Sequence, residues 1–486
     1  MPSAIGHRSM NSKYILAFCT FIATACPLHA DVFMANGMKI GDVTSDTAKI
    51  WTRLTAQPER TRSGTEFLKT TNPTKAKPLQ ADGSHQYPAG KRLADMEGSV
   101  PGTDGEVRLR YWPKGQRENE IETEWMRVDP QKDFTGQFLL RDLVPNTQYV
   151  LKAEGKGDQS SVELDGNFRT APMPDDAQEI NFVAVTCGDY PRRDDEENGH
   201  VIYNTMLKKI APHFFVHTGD IEYYDRADPY ALSKELARYK MNRLFSMPYI
   251  RSFHNHVSSY FMKDDHDTLM NDCDPGDVYG TLTWDEGIAI FEEQFPRTEP
   301  YKTVRWGKDL QIWILEGRDF RDVDPKSPNQ MPSIWGSKQK EWFFESFAES
   351  DATFRVLISS TPVVGPDRKG KNDNHANREF ELEGDQIREF LGSQENAFVI
   401  CGDRHWQYHS EDPKTGTMEF SCGPSSDKHA SGYSEEYRNE YHKYLKVLGG
   451  FLSVNVSRAT GNPVITFRHH APEGTVRYEY LTKSTK

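Results

Sequence analysis

Four loops of the sequence carry side chains that bind metal ions or transfer protons, and three of these loops directly follow short apolar runs. The run 214–216 leads into a turn in which Gly219 permits a sharp bend and Asp220 leaves the carboxyl end of a predicted buried strand. The runs 182–185 and 398–400 lead into similar turns. The candidate side chains in the four loops are Cys187, Asp189, Asp220, Tyr223, Asp264, Asp265, His266, Asp267, Asp403 and His405.

The repeated turns predict one shared metal site. Side chains that leave the carboxyl ends of neighbouring strands meet at the same edge of an α/β sheet. Carboxylates that converge there repel one another, so a shared pocket requires cations to neutralise it. A single Gly-Asp pair after an apolar run is also typical of an ordinary strand-to-loop turn. The repetition of the pattern favours the metal site.

Length and charge restrict the class of protein. The chain has 486 residues, which exceeds the usual size of one hydrophobic core and predicts two domains. Its formal net charge of −13 argues against a nucleic acid partner held by charge. A hydrophobic fraction of 36% and an aromatic fraction of 12% are typical of globular cores.

The first 30 residues resemble a secretory signal peptide. Arg8 and Lys13 precede an uncharged, mostly apolar stretch at 14–28, and cleavage is predicted after Ala30. The stretch is too short to span a bilayer, so no transmembrane anchor is expected. The mature chain is therefore predicted to be periplasmic or secreted. An alternative is that Cys26 lies in a lipoprotein processing site and anchors the protein through a lipid.

Four cysteines remain after the predicted cleavage, which is too few for a disulfide framework in so long a chain. A bridge between Cys401 and Cys422 and a set of buried free thiols, including Cys273, are both compatible with the sequence. Cys187 is predicted to be functional because it follows the same kind of strand end as Asp220.

Residues 31–173 predict an all-β domain, because short strand-like runs alternate apolar and polar residues and no long helical period occurs. The stretch 143–149 resembles the loop and tyrosine strand of fibronectin type III sandwiches. The polar segment 58–102 is expected to be a surface excursion. A proline-rich and acidic break at 171–176 is expected to link this domain to the next.

Residues 178–486 predict a layered α/β domain, in which strands alternate with helices and the site lies at the strand ends. The final strands predict an antiparallel extension. The helical stretches expected are 201–210, 230–245, 335–349 and 384–391.

In their order, the motifs resemble those of the calcineurin-like metallophosphoesterase superfamily, and more closely its alkaline phosphatase D (PhoD-like) branch. They are a Gly-Asp pair with Tyr223 three residues after Asp220, the DDHD box at 264–267 and the late GDRH at 402–405. The resemblance extends over nearly the whole chain after residue 30. It implies an α/β four-layer sandwich, with two mixed sheets between helices, joined to an N-terminal all-β fibronectin III-like sandwich.

The resemblance also implies a role for individual residues. Asp220 corresponds to a carboxylate that bridges two metals, and Tyr223 to a tyrosinate bound to iron. Asp403, together with either Asp264 or Asp265, would face a second and harder metal. The implied ligands are Cys187, Asp220, Tyr223, Asp264, Asp265, Asp403 and His405, and the implied cofactors are two or more metal ions, Fe³⁺ together with Ca²⁺.

This sequence departs from the wider superfamily in two motifs. The first motif is usually DxH, whereas here it contains Cys187 and Asp189, either of which is a candidate ligand. Many relatives place a ligand histidine where this chain has Ser360 and Thr361. The loss of that histidine agrees with a ligand role for Tyr223.

The chemistry implied is hydrolysis of a phosphate ester by attack of a metal-bound hydroxide. His266, beside Asp265 or Asp267, is expected to orient the phosphate or to protonate the leaving alkoxide. Arg404 and Lys263 are candidate phosphate clamps. The predicted catalytic residues are therefore His266, Asp265 and Arg404.

Other histidines have weaker cases for chemistry. His254 and His256 alternate on a predicted strand or loop, and structural roles are favoured for both. His375 and His409 lie near the motifs in the sequence and are candidates for the pocket wall.

The sequence therefore predicts an exported, metal-dependent phosphoesterase that acts on monoesters, diesters or both. Its expected partner is a small phosphate ester, without a nucleic acid scaffold, and its expected state is a monomer. Two alternatives remain: a secreted binding module on a catalytically inactive metallophosphoesterase fold, and a different hydrolase on the same scaffold.

Overall fold

The computed structural model describes residues 31–70, 82–322 and 331–484. The predicted signal peptide, with Cys26, lies outside the described residues. Within the part that the structure describes, no helix is both long and apolar enough to cross a membrane.

The N-terminal region is built from strands whose residues are alternately buried and partly exposed, as in β7 below. Two layers pack against each other around a shared apolar core that includes Ile50, Leu109 and Leu151. One layer contains β3, β4, β5, β7 and β8, and the other contains β1, β2 and β6. These strands are β1 (Met38–Gly41), β2 (Ala48–Arg53), β3 (Glu106–Pro113), β4 (Ile121–Glu122), β5 (Met126–Arg127), β6 (Thr135–Leu140), β7 (Gln148–Lys156) and β8 (Ser161–Arg169).

The α/β region follows, with strands and helices interspersed. Its strands are β9 (Ile180–Val185), β10 (Phe214–His217), β11 (Ser258–Phe261), β12 (Val278–Tyr279), β13 (Leu282–Thr283), β14 (Lys302–Trp306), β15 (Leu310–Ile314), β16 (Phe354–Ser359), β17 (Ala397–Cys401), β18 (Gln407–Glu411), β19 (Met418–Cys422), β20 (His442–Lys446), β21 (Phe451–Thr460), β22 (Asn462–His470) and β23 (Val476–Lys483). Its helices are α1 (Val201–Thr205), α2 (Lys234–Phe245), α3 (Pro248–His254), α4 (Asp265–Thr268), α5 (Trp284–Gln294), α6 (Gly336–Glu349) and α7 (Glu381–Gly392).

Two large mixed sheets form the centre of this region. The first has nine strands in the order β23-β22-β21-β9-β10-β11-β1-β2-β6, and β9, β10 and β11 are parallel neighbours. It includes N-terminal strands because Gly41 of β1 pairs with Ser259 of β11. The second has seven strands in the order β14-β15-β16-β17-β19-β18-β20. The predicted antiparallel extension is confirmed by β21, β22 and β23.

The two sheets face each other across a buried apolar layer that contains Phe214, Ile358 and Ile400. Residues of α2, α3 and α5 cover the outer face of the nine-stranded sheet. Residues of α6 and α7 cover that of the seven-stranded sheet. The parallel strands are buried on both faces, which explains why their sequences are short continuous apolar runs.

A helix is present at each of the four predicted helical stretches, but its first residue, its last residue or both differ from the predicted ones. The helix expected at 230–245 begins at Lys234, because Ser233 is still extended and the amide of Tyr230 donates to Gln86 Oε1 at 2.8 Å. The stretch expected at 201–210 is α1 followed by one π-helical turn at Met206–Ile210.

The segment 58–102 is more than a surface excursion, since parts of it pack against α2. Phe67 and Met96 are buried in the same cluster as Leu236 and Tyr239. The polar character of the segment concealed these contacts, because only single apolar residues anchor it.

Candidate metal centre

Three strand-end residues share an uncommon backbone conformation. Cys187, Asp220 and Asp403 have φ values of 51°, 55° and 62°, in the left-handed region that costs a non-glycine residue about 1–3 kcal/mol. Gly219 has φ 114°, and a Cβ there would lie 2.8 Å from the Cβ of Asp264. The turns after β9, β10 and β17 are thus built alike, and strain of this kind is typical of functional sites.

The ends of the two sheets meet at one place. The amide of Asp403, after β17, donates to Thr186 Oγ1, after β9, at 3.2 Å. Consequently the candidate side chains from both sheets point into one pocket, as their positions after the strands predicted.

Asp220 lies at the centre of this pocket. Its Oδ2 accepts hydrogen bonds from the thiol of Cys187 at 3.4 Å and from the phenol of Tyr223 at 3.1 Å. The phenol oxygen of Tyr223 also lies 3.0 Å from Nε2 of His405. Ligand atoms of Cys187, Asp220 and His405 all lie within 4.8 Å of one another.

A second group of oxygen ligands shares Asp220. Carboxylate oxygens of Asp220, Asp264 and Asp403 lie within 4.8 Å of one another. Arg318 donates from Nε to Asp264 Oδ1 at 2.6 Å, whereas Asp264 Oδ2 has no hydrogen-bond partner among the described residues. Of the two aspartates left open by the sequence, the structure therefore brings Asp264 next to Asp403.

Asp265 occupies a different position. Ligand atoms of Asp265, Asp220 and His266 lie within 4.8 Å of one another. Its carboxylate also accepts hydrogen bonds from the amide of His266 at 2.9 Å and from the amide of Asp272 at 2.6 Å. Asp267 instead caps α4, since its carboxylate accepts hydrogen bonds from the amides of Asp264 and Glu222.

The electrostatics of the pocket require positive charge. Burial raises the pKa of Asp220 well above its usual range, and neighbouring carboxylates raise it further. Burial and Asp220 likewise raise the pKa values of Cys187 and Tyr223, and burial raises that of Asp403 to about 8. Oδ1 of Asp220 has no partner in the described part of the chain. The donor set therefore fits cations, which reverse such shifts and use lone pairs left unpaired.

His266 is held by a residue that the sequence analysis did not single out. Its Nδ1 lies 2.7 Å from Asp225 Oδ1. Burial lowers the pKa of His266, but Asp225, Asp265 and Asp220 together raise it well above the usual range. The imidazole is thus oriented and favoured in its protonated form at the edge of the pocket.

The two predicted phosphate clamps are buried in ion pairs. Arg404 contacts Asp403, and its Nη2 lies 3.2 Å from Asp367 and 3.6 Å from Asp373. Lys263 bonds to Glu316 and Asp319, both at 2.7 Å. Both cations are already paired and shielded from water. Their geometry therefore favours a role in positioning, in which Arg404 holds Asp403 and Lys263 holds its own loop, over direct contact with phosphate.

Two other arginines stand at the mouth of the pocket. Asp189 Oδ2 lies 3.4 Å from Nε of Arg192 and 3.9 Å from Nε of Arg226. The side chains of the two arginines remain 30% and 39% exposed. Asp189 therefore holds a pair of cations and does not join the groups around Asp220. Neither arginine stands out in the sequence, because Arg192 begins a run of charges at 192–196 and Arg226 lies between Asp225 and Asp228, and such charged stretches are usually solvated surface.

His429 is a further residue that the sequence analysis missed. Its ring centroid lies 4.1 Å from that of His405 and 5.0 Å from that of Tyr223. Its Nδ1 lies 3.3 Å from the carbonyl oxygen of Cys187. His429 follows β19 outside any recognisable motif, so no sequence pattern marks it.

The remaining predicted residues are structural. His254 ends α3 and bonds to Ser259 at 3.0 Å, so the strand or loop expected for His254 is wrong, whereas His256 lies in the turn that follows. His256 bonds to the carbonyl oxygen of Ser252 at 2.8 Å. His375 pairs with Glu383 at 3.1 Å, and His409 with Tyr478 at 3.0 Å, outside the groups around Asp220.

All four cysteines in the described residues are free and buried. Cys401 pairs in register with Ser421, so Cys422 is one residue further along β19 and its side chain points to the other face of the sheet. The Cys401–Cys422 bridge is therefore not formed.

The family model and two solved structures that this chain resembles all describe phosphatases. A family model of PhoD-like phosphatases matches residues 182–471. The solved structure of PhoD matches 93% of this chain and 90% of its own, with a TM-score of 0.69 and 16% identity. Purple acid phosphatase PPD1 from yellow lupin (Lupinus luteus) seeds matches 92% of this chain and 74% of its own, with a TM-score of 0.61 and 10% identity. These two structural likenesses concern the fold alone. Comparison with curated protein sequences gave no significant match.

Proposed function

Since the chain belongs to the PhoD-like phosphatase family and is a phosphoric ester hydrolase, we propose that it hydrolyses small phosphate monoesters, diesters or both at the pocket around Asp220. Asp220 is the main support for this proposal, because its carboxylate belongs to every group of candidate ligands in that pocket. A carboxylate shared in this way suits a bridge between two cations.

We assign the thiolate and phenolate side of the pocket to iron and the all-oxygen side to calcium. The iron ligands are Cys187, Asp220, Tyr223 and His405, and the calcium ligands are Asp220, Asp264 and Asp403. When bound, such cations lower the pKa of water and neutralise phosphoryl oxygens. Asp265, whose oxygens accept two backbone amides, orients the loop that carries Asp264 and His266.

The chain supplies the remaining groups. Asp225 holds Nδ1 of His266, which leaves Nε2 as the nitrogen that gives a proton to the leaving alkoxide. Arg192 and Arg226 share the single carboxylate of Asp189, so one positive charge is in excess beside Tyr223 and His405. The Cζ of Arg226 lies 5.3 Å from the centroid of the Tyr223 ring. We propose that this pair, in place of Arg404 and Lys263, binds the phosphoryl oxygens.

The test is a comparison of ester classes with purified full-length protein. We expect hydrolysis of 4-nitrophenyl phosphate, of bis(4-nitrophenyl) phosphate, or of both, and loss of that hydrolysis in the variant Asp220→Asn. Activity on 4-nitrophenyl sulfate or acetate alone would contradict the proposal. The ratio of the two phosphate rates decides between monoesters and diesters.

We also propose that the protein is exported after cleavage behind Ala30 and that its domains are 31–173 and 178–486. The sequence of the first 30 residues supports export. The phenol oxygen of Tyr149 accepts a hydrogen bond from the amide of Val144 at 2.9 Å, which supports a fibronectin III-like first domain. Mass spectrometry of protein from cells is expected to find an unmodified N-terminus at Asp31, whereas a lipid on Cys26 would contradict cleavage there.

A further inference from the structure

A cavity of about 740 Å³ lies beside the metal centre and holds none of the residues assigned to it. Its volume is typical of pockets for small molecules, which occupy about 300–1,000 Å³. Two loops line the cavity, one at 366–369 and one at 432–439.

The walls of this cavity are directly joined to the metal centre. Arg404 contacts Asp403 of the centre and, at 3.2 Å, Asp367 of the cavity wall. The amide of Ser431, which precedes the second loop, donates to the carbonyl oxygen of His405 at 3.2 Å. One buried arginine side chain therefore connects Asp367 of the cavity wall to Asp403 of the centre.

The cavity presents aromatic faces on a rigid support. Tyr433 stacks on the buried Trp406, with ring centroids 4.6 Å apart and planes at 13°. Tyr437 meets Tyr433 edge to face at 5.6 Å and 83°, and 64% of Tyr437 is exposed. The guanidinium of Arg368 lies 5.7 Å from the centroid of the Trp406 ring.

These groups recognise a planar ring better than an aliphatic chain. Tyrosine faces gain area and stacking from a flat π-system, and a guanidinium that lines the same cavity, that of Arg368, is a group that forms cation–π contacts. An exposed tyrosine over a cavity this large leaves apolar surface in water, which a bound ring would cover.

We propose that this cavity binds the leaving group of the substrate and that this group carries a planar aromatic ring. The inference rests on the proposed phosphoesterase function. In the reaction, a P–O bond forms to the oxygen of water, the P–O bond to the aromatic alcohol breaks, and the alcohol oxygen takes the proton. The phosphoryl group then lies at the metal centre while the ring lies against Tyr433 and Tyr437.

The test compares 2-phenylethyl phosphate with n-butyl phosphate, whose leaving alcohols have similar basicity. The ratio of kcat/KM for the aromatic ester to that for the aliphatic ester is expected to fall about tenfold in Tyr437→Ala, the size expected for loss of one stacking contact. Tyr437→Phe is expected to keep the ratio. Leu382→Ala, at a site that is 61% exposed on α7, is the control for removal of an exposed apolar side chain. An unchanged ratio in Tyr437→Ala would overturn the inference.

Failure of the proposed function gives a different result. If the wild-type protein hydrolyses neither ester, binding of 2-naphthyl phosphate is measured by its fluorescence. Saturable binding that weakens about tenfold in Tyr437→Ala would support the aromatic cavity without the activity. Absence of saturable binding, or equal binding in both proteins, would overturn it.

Discussion

The phenol oxygen of Tyr223 lies 3.0 Å from Nε2 of His405, although the two residues are 182 positions apart in the chain. Tyr223 follows β10 of the nine-stranded sheet, and His405 follows β17 of the seven-stranded sheet. Their contact therefore depends on how the two sheets pack, and it completes the side of the pocket that we assign to iron.

Tyr223→Phe is expected to lower iron content at least about tenfold, because phenylalanine has no oxygen to bind the metal. The measurement is elemental analysis of purified protein, with iron and calcium scored per chain. Tyr224→Phe is the matched control, since Tyr224 is equally buried and its phenol has no hydrogen-bond partner among the residues described. Equal iron content in the two variants, or a parent protein without metal, would contradict the assignment.

His266→Ala is expected to slow hydrolysis of alkyl phosphates by about 10²–10⁴-fold, because a poor leaving group needs a proton in the transition state. Esters of 4-nitrophenol, whose leaving group needs no proton, are expected to lose much less. The measurement is kcat of wild type and variant for both ester types. Asp225→Asn is expected to show the same selectivity with a smaller loss, since it misaligns the imidazole and removes one of the carboxylates that raise its pKa. An equal loss for both ester types would remove the acid role.

Simultaneous replacement of Arg192 and Arg226 by alanine is expected to weaken competitive inhibition by inorganic phosphate by about 10–100-fold, which corresponds to the loss of a charged hydrogen bond. Inhibition constants measured at fixed ionic strength test this. Arg193→Ala is the control, because its guanidinium lies 3.9 Å from the centroid of the Tyr190 ring and donates to the carbonyl oxygen of Glu196 at 3.0 Å. If the double variant binds phosphate as tightly as the control, phosphate is held elsewhere.

Glu316→Gln is expected to lower the free energy of unfolding by about 1–3 kcal/mol, because Lys263 and Arg297 each lose a charged hydrogen bond to a buried carboxylate. Lys263 keeps Asp319 as a partner, and Arg297 keeps Glu292. Glu316 bonds to Lys263 at 2.7 Å and to Arg297 at 2.9 Å. Burial raises the pKa of Glu316, but these two cations bring it down to about 2.

The same substitution has a defined pH dependence. A carboxyl group whose pKa is lower in the folded than in the unfolded protein stabilises the fold above its unfolded pKa of about 4.3. The contribution is lost as the pH falls towards 2. The stability difference between wild type and Glu316→Gln is therefore expected to be largest above about pH 5 and to shrink between pH 4 and pH 2, as measured by denaturant titration. The exposed Glu341→Gln on α6 is the control. A difference that grows towards acid pH would contradict the assigned pKa.

Much of the site was predictable because the ligands follow a local rule. A short apolar run marks a strand that is buried on both faces, and the polar residues two or three positions after the strand end lie at the sheet edge. Cys187, Asp220 and Asp403 obey this rule, and the structure places all three around one pocket. The local turn residue Gly219 was predictable for the same reason.

The predicted phosphate clamps show where local rules end. Arg404 and Lys263 stand next to candidate ligands in the sequence, but each is buried against carboxylates from distant segments. Arg192 and Arg226 stand in two separate charged segments of the sequence, but they share Asp189 at the mouth of the pocket. Whether the charge of an arginine or lysine is paired with a carboxylate or left facing water depends on which segments of the chain pack around it.

The sequence by itself determined the strand ends, the residue types that gather there and the family resemblance, because these depend on patterns within a few residues of one another. Only the tertiary structure decided that Asp264 rather than Asp265 meets Asp403, that Asp225 holds His266, and that His429 and an aromatic cavity adjoin the centre. These relations join segments tens to hundreds of residues apart, and they are set by the packing of two sheets, which no local pattern encodes.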